Sequence, residues 1–262
     1  MEHTTATTEI YYEAFLSKIY DDSPFFGQGR TREPEKFNTF YFENLKHEHE
    51  RILEFGSNTG KLTVPLARMG YQLDSVDISP YMHEVLSEKL KTESPFVAGN
   101  INQIVADATT YQGPHLYNSI IMPEGVIIAI PDVELQMALL ENCYRNLKRG
   151  GRIYTDFFQP NYKAIYHKEL KEYSRFRTRT GEVYLLEIIF TNDEYTQVQN
   201  WDVTYTRIVG GEKADVISMN VKFRYIFYSE IQLMLQKCGF KVIDIDVNYA
   251  DRRGFAVIAE KP

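Results

Sequence analysis

Apolar and polar positions alternate along the chain in three different rhythms, and each rhythm predicts a different kind of element. In the first section Tyr11, Tyr12, Phe15, Leu16 and Ile19 recur at spacings of three and four, one face of a short amphipathic helix. Asp21-Asp22-Ser23-Pro24 breaks that pattern, and Glu33-Pro34-Glu35 opens a second helix through Phe37, Phe40, Tyr41 and Leu45. Residues 1–48 therefore read as a helical cover.

The second section alternates short apolar runs with helical stretches. Arg51 to Phe55 is a strand ending at Gly56, Lys61 to Met69 a helix closed by Gly70, and Gln72 to Ile78 the next strand. Ser79-Pro80 caps a helix running through Met82, Val85, Leu86 and Leu90. Ile101 to Ala106 and Ser119 to Met122 follow as strands. Pro131 to Leu147 is the longest helical pattern, expected to stop at Gly150-Gly151, and Ile153 to Phe158 is the fifth strand. Strands alternating with helices of this length mean β-α-β units and a parallel sheet.

The third section loses the alternation. Glu182 to Phe190, Tyr195 to Ile208 and Val216 to Tyr228 are β-branched and aromatic between turn signals, which predicts an antiparallel meander of three strands. Within it Trp201, Val203 and Tyr205 share one face. One face is expected to pack on the core and the other to meet solvent or a second subunit, as in a homodimer formed through the insertion. Ser229 with Gln232 reads as a capping box for a helix ending near Gly239. Lys241 to Val247 and Gly254 to Ala259 are expected to form a hairpin that ends the sheet with an antiparallel edge strand. The predicted fold is thus α/β: a Rossmann-like, mostly parallel sheet of seven strands with helices on both faces, plus an antiparallel insertion after the fifth strand. The core would comprise 49–160 and 229–262, and the insertion 161–228.

Composition narrows the class. With 29 basic and 36 acidic residues the chain carries a net charge of −7, which argues against sequence-independent nucleic-acid binding. No apolar stretch reaches the roughly 20 residues needed to cross a bilayer. The polar start lacks the layout of a secretory leader, so a cytoplasmic protein is expected. Two cysteines make neither a disulfide framework nor a zinc site, and no metal site is expected. Aromatic residues reach 14%, equally suited to a bulky core and to a pocket lined by rings.

The informative segment is Ile52-Leu53-Glu54-Phe55-Gly56-Ser57-Asn58-Thr59-Gly60. A buried strand carries an acid near its end, then a small-residue turn, then a helix whose first N–H groups suit a carboxylate or phosphate. Glycines there let backbone and ligand approach closely. Asp77 ends the following strand, where a carboxylate can accept both hydroxyls of a ribose, and Asp107 with Ala108 follows the third. Such acidic strand ends at successive intervals point to a nucleoside.

On these residues, 50–158 resembles the class I S-adenosylmethionine-dependent methyltransferases. Glu54 to Gly60 is similar to that family's first motif, with Asn58 in place of the usual middle glycine; Asn tolerates left-handed backbone angles. The resemblance implies S-adenosylmethionine as cofactor, held by Tyr20, Glu54, Gly56, Ser57, Asn58, Gly60, Asp77, Ile78, Asp107, Ala108, Met122 and Pro123. Asp77 with Ile78 matches the ribose-binding acid and its neighbour. Asp107 with Ala108 matches the adenine contacts, and Met122-Pro123-Glu124 falls at the fourth-strand motif facing the methionine arm and the substrate. Cys238-Gly239-Phe240 is similar to the turn before the sixth strand. A nicotinamide dehydrogenase fits less well, because positions 61 and 62 are Lys and Leu where its third glycine would be needed. A Walker loop fails because no Gly-Lys-Ser/Thr occurs.

The resemblance further implies methyl transfer to a nitrogen or oxygen of a small molecule. The alternative is an inactive protein that keeps the cofactor site for sensing or scaffolding. An amine nucleophile needs only to be neutral, whereas a hydroxyl gains from a general base, for which Glu124, His115 and the tyrosines of the first section are the candidates. In small-molecule members a tyrosine-rich N-terminal helix covers the site, which brings in Tyr11, Tyr12 and Tyr20. Tyr12, Glu124, Trp201, Tyr205 and Arg224 are the expected substrate contacts, with Arg207, Phe223 and Tyr225 as further wall residues. Arg30, Arg32 and the basic run Arg175 to Arg179 read as solvated.

Overall fold

Helix α1 (14–19) is amphipathic as its spacing requires, and α2 (Pro34–Phe37) starts with proline at its first position. The protein is seen here as a computed structural model that describes residues 14–24, 33–45, 51–160, 162–167 and 169–262. The expectations for Tyr11, Tyr12, Arg30 and Arg32 lie outside those residues. After α3 (Thr39–Asn44) the α/β alternation begins with β1 (Arg51–Phe55), α4 (Thr63–Arg68) and β2 (Gln72–Asp77). Next come α5 (Pro80–Leu90), α6 (Pro95–Gly99), β3 (Ile101–Val105), β4 (Tyr117–Met122), α7 (Val133–Asn146) and β5 (Leu147–Phe158). The caps are as the residues dictate: Ser79, Ser94 and Asp132 accept from the N–H groups of Met82, Val97 and Leu135. The short α6 is not among the predicted elements.

One boundary differs. Helix α7 ends at Asn146, because Leu147 already pairs with Tyr117, and Gly150 (φ 77°) bends the strand instead of closing the helix.

The seven-stranded sheet has the order β10-β11-β5-β4-β1-β2-β3, where β10 is Lys241–Asp246 and β11 is Gly254–Glu260. Strands β1 to β5 are parallel, and β11 runs antiparallel to both β5 and β10. The antiparallel strand is therefore second from the edge, and the edge strand β10 runs with the parallel set. Leu53 and Phe55 of β1 point into one apolar layer with Ile120, Leu139 and Val257; Ile52 points into the other with Leu66, Leu73 and Leu86. Both layers are fully buried, and each such aliphatic side chain contributes about 1.5–3 kcal/mol.

After α8 (Tyr162–His167) the insertion forms a four-stranded antiparallel sheet rather than the expected three: β6 (Glu169–Arg177), β7 (Val183–Asp193), β8 (Val198–Val209) and β9 (Glu212–Arg224), in that order. The extra strand, β6, is mostly exposed and polar, and as an edge strand it needs little apolar patterning. It includes Arg175 to Arg177. Tyr184, Leu186, Ile188 and Phe190 of β7 and Val203 and Tyr205 of β8 form one buried face, closed by Phe15 and Ile19 of α1. The first helix thus packs on the insertion, while its Leu16 and the following Tyr20 reach the cavity beside the core sheet. The chain closes through α9 (Tyr228–Lys237), where Glu230, not Gln232, accepts from the N–H of Phe227 (3.3 Å). No described helix is long and apolar enough to cross a membrane.

Candidate functional site

Because β1 lies between β2 and β4, the loops leaving β1 and β4 diverge to opposite faces and leave a crevice at the carboxyl ends of the strands. A cavity of about 660 Å³ fills that crevice. Every one of the five parallel strands sends a residue to its wall: Gly56, Asp77, Ala106, Glu124 and Asp156.

The turn after β1 is built on left-handed backbone at Gly56 (φ 72°), Asn58 (φ 48°) and Gly60 (φ 80°). Asn58 holds its position with a hydrogen bond from Nδ2 to the Gly56 carbonyl (3.1 Å). Its backbone N–H donates to Asp77 Oδ2 (2.8 Å), while the N–H of Ser79 donates to Asp77 Oδ1 (2.9 Å). One carboxylate thus ties the first loop to the second and still faces the cavity. Burial pushes its pKa above the ordinary aspartate range even though these amides pull the other way.

Gly56 lines the cavity, and a Cβ there would lie 2.2 Å from Val126 Cγ2. Gly60 serves packing instead, since its Cβ would meet Leu86 Cδ1 at 2.4 Å. Glu54 and Ser57 are behind the wall. Glu54 is fully buried, with Thr63 (2.7 Å) and Ser75 (3.0 Å) donating to its Oε2, so it braces the turn. Ser57 Oγ bonds His83 Nε2 (2.9 Å), whose pKa burial lowers, leaving the imidazole neutral. Ile78, 68% exposed, lines the cavity with Met82, Ala106, Asp107 and Ala108. Asp107 Oδ1 is oriented by the backbone N–H (2.8 Å) and hydroxyl (2.7 Å) of Thr109.

At the other end Tyr20, Lys61 and Glu124 meet. Lys61 Nζ is 2.7 Å from Glu124 Oε1 and 4.4 Å above the centre of the Tyr20 ring, and Tyr20 donates to Glu124 Oε2 (3.3 Å). Burial, then the charge of Glu124, pushes the Tyr20 hydroxyl well above its ordinary pKa, so it stays protonated. Glu124 is itself left-handed (φ 60°), and its N–H donates to Asp156 Oδ1 (3.3 Å), which also takes the Tyr41 hydroxyl. Neither Lys61 nor Asp156 belongs to the motifs legible in the sequence. Asp156 carries a readable signal, an acid near the carboxyl end of a parallel strand; nothing local marks Lys61.

Other expected contacts lie elsewhere. Met122 and Pro123 are buried beneath the wall and do not line the cavity. Trp201 does line it, with Val221 and Phe223. Tyr205, four residues along the same face, is buried against α1 and shares a hydrogen bond with the Ser23 hydroxyl (2.9 Å). Arg224 is turned away: it pairs with Glu230 (2.5 Å) and donates to Gln136 (2.8 Å), fastening the insertion to α7 and α9. His115 is exposed beside Tyr117, at the start of β4 and so at the opposite end of the sheet. Tyr12 is outside the described residues. Among the described residues no group of three His, Cys, Asp or Glu is placed to hold a metal.

Residues 52–151 match a family described as "Methyltransferase domain". YqeM of Bacillus subtilis (strain 168), named provisionally as a methyltransferase, is 20% identical over 243 residues, covering 92% of this chain and 91% of that one. The CcbJ methyltransferase from Streptomyces caelestis superposes with a TM-score of 0.74 at 17% identity, covering 94% and 96% of the two chains. CalS10 from Micromonospora echinaspora, an amino pentose methyltransferase solved with S-adenosylmethionine bound, gives a TM-score of 0.66 at 12% identity over 100% and 98%. At these identities the two structures show a common fold.

The wall suits such a cofactor on its own chemistry. It offers a desolvated carboxylate, a slot of small and apolar side chains, and a turn whose first residue admits no side chain.

Proposed function

We propose, for a chain whose residues 52–151 carry a methyltransferase domain and whose cofactor is S-adenosylmethionine, that the methyl group goes to an amine nitrogen of a small molecule. In this reading Asp77 accepts the ribose hydroxyls, Asp107 with Ile78 and Ala108 holds the adenine, and the Gly56–Asn58 turn holds the amino-acid arm. Glu54 and Ser57 support that turn from behind. Trp201, Val221 and Phe223 form the acceptor wall. Residues 49–160 and 229–262 thus carry the cofactor, 161–228 the acceptor, and Leu16 and Tyr20 of the N-terminal section close between them.

When bound, S-adenosylmethionine supplies a methyl group already activated on a sulfonium, so the chain adds alignment and dryness. Glu124, held in place by Lys61 and Tyr20, is positioned at the rim to accept a hydrogen bond from the incoming amine, which must be neutral when it attacks. Asp156 fixes the Glu124 backbone, and the aromatic wall excludes water.

One observation carries the choice of nitrogen. The described lining includes four carboxylates, Asp77, Asp107, Glu124 and Asp156, but no histidine or cysteine. Methylating a hydroxyl asks for a base poised near neutrality, and the one tyrosine of the lining is displaced away from it. The amino pentose acceptor of CalS10 supports the same reading. The test is a turnover assay with pairs of amines and matched alcohols, detecting the demethylated cofactor. Amines should turn over and their alcohol counterparts should not; an alcohol methylated in preference to its amine would overturn the assignment.

A further inference from the structure

At the carboxyl end of the sheet the charged groups that line the main cavity fall in a definite order. Asp107 follows β3, Asp77 ends β2, Glu124 follows β4 and Asp156 lies in β5. Beyond them, in the loop that enters β11, stands Arg253, the one cation among the described lining residues. Gly254 pairs with Phe158 of β5, so Arg253 is on the far side of β5 from the turn after β1. With neighbouring strands about 4.8 Å apart, two steps along the sheet, about 10 Å, separate the strand of Glu124 from that of Arg253.

Three consecutive residues before it, Ala250 (φ 50°), Asp251 (φ 60°) and Arg252 (φ 65°), are left-handed although none is glycine. Backbone of that kind persists only where its surroundings enforce it, and it gathers at binding sites. Here Tyr249 donates its hydroxyl to the Phe37 carbonyl (3.0 Å) and Lys36 pairs with Asp251 (2.5 Å), so α2 clamps the turn. The Arg253 guanidinium lies over the face of Phe37, 5.0 Å from the ring centre, and Phe37 lines the same cavity. Its Nε donates to the Ala250 carbonyl (2.9 Å) and its Nη2 to Glu33 (2.9 Å), while Nη1 has no acceptor among the described residues. The side chain is 44% exposed and forms part of the cavity wall, so a ligand can reach it. Glu33 is exposed too and keeps Lys36 (2.9 Å) as a second cation, so an occupant can take its place at little cost.

We propose that Arg253 receives an oxyanion, a carboxylate or a phosphate, carried by the same acceptor whose amine is methylated. The proposal rests on the methyltransferase reading and adds what the acceptor must contain, an anion separated from its amine by several bonds. Guanidinium N–H groups match oxyanions of either kind. The order of charges gives the acceptor a direction. Its amine is drawn toward Glu124 and Asp156, where an anion would be repelled by both carboxylates, and Arg253 is the cation that can offset the anion at the other end.

The protein is first saturated with S-adenosylhomocysteine, whose affinity is measured separately by calorimetry. It is then titrated, again by calorimetry, with three six-carbon amines: 6-aminohexanoate, 6-aminohexyl phosphate and the neutral 6-aminohexanamide. At least one of the two anions should bind about tenfold tighter than the amide, the margin of one charge-assisted hydrogen bond, and the tighter one identifies the oxyanion. Arg253→Gln should abolish that margin while leaving the affinities for the amide and for S-adenosylhomocysteine unchanged. Arg253→Lys, which keeps the charge, should lose less of the margin than Arg253→Gln. The proposal is overturned if the amide binds as tightly as both anions, if neither anion binds to protein that does hold S-adenosylhomocysteine, or if Arg253→Gln keeps the parent's margin. Failure of the parent to bind S-adenosylhomocysteine would instead defeat the functional reading on which the proposal rests.

Discussion

The two sides of the main cavity are made by different means. On the side proposed for the cofactor the atoms facing the cavity belong to backbone, or to a carboxylate oriented by backbone amides: Gly56 and Asn58 in left-handed conformations, and Asp77 gripped by two N–H groups. On the side proposed for the acceptor they belong to side chains of an antiparallel sheet, Trp201 of β8 with Val221 and Phe223 of β9. The first side tolerates almost no change, because each piece fixes the next. The second can exchange one ring for another without disturbing the strands beneath.

The largest expected effect is on the rigid side. Asp77→Ala removes a charged acceptor of two hydrogen bonds, each worth about 1.5–3 kcal/mol, so S-adenosylmethionine affinity measured by calorimetry should fall at least about 100-fold. Unchanged affinity would break the comparison outright.

The joint between the two sides comes next. Asp21 accepts from Thr59 (2.6 Å), pairs with Lys89 (2.6 Å) of the core, and pairs with Arg179 (3.0 Å) beside the insertion. Asp21→Asn should cost about 1–3 kcal/mol of stability, read as a lower denaturation midpoint, because those partners lose a buried charge. Burial raises the pKa of Asp21, but Lys89, Thr59 and Arg179 outweigh it and hold the carboxyl below its ordinary range. Its stabilising contribution is therefore present above the unfolded aspartate pKa and lost as pH falls through the lower folded value. Asp77 behaves oppositely. Its raised pKa means that its charged form opposes folding and that protonation begins at higher pH than for an ordinary aspartate. On acidification, cofactor affinity should fall before the folded state does; simultaneous loss would remove the distinction.

A smaller effect is expected at Gly56. Gly56→Ala places a methyl group against Val126 Cγ2 and pays the left-handed penalty of about 1–2 kcal/mol, visible as a lower melting temperature. Adding Val126→Ala should relieve the clash and leave the backbone penalty, and full recovery would show that the turn is not strained. The smallest effect belongs to the permissive side. Trp201→Ala should raise the KM for the acceptor several-fold while leaving S-adenosylmethionine affinity within error, and a matching loss of both would join the two sides into one.

Legibility in the sequence follows the same division. The parallel core, the turn and the acids at the ends of β2 and β3 are apparent in the chain because each depends on a few adjacent residues. The four-stranded insertion is only partly so: β7 and β8 have buried faces and β9 alternates over its second half, whereas the edge strand β6 is mostly polar and shows no such pattern. Among candidate contacts, Trp201 and Tyr205 look equivalent by alternation, yet the cavity lies beside one and α1 beside the other.

What the sequence alone determined, then, is the strand–turn–strand frame that presents Asn58 and Asp77, since backbone preferences of glycine and asparagine and the period of a buried strand act within a few residues. Tertiary structure decided which distant groups meet: Lys61 with Glu124 and Tyr20, Arg224 with Glu230 rather than a substrate, and His115 at the far end of the sheet. Such meetings depend on sheet order and on the direction in which loops leave the strands, and neither is encoded in the spacing of any one segment.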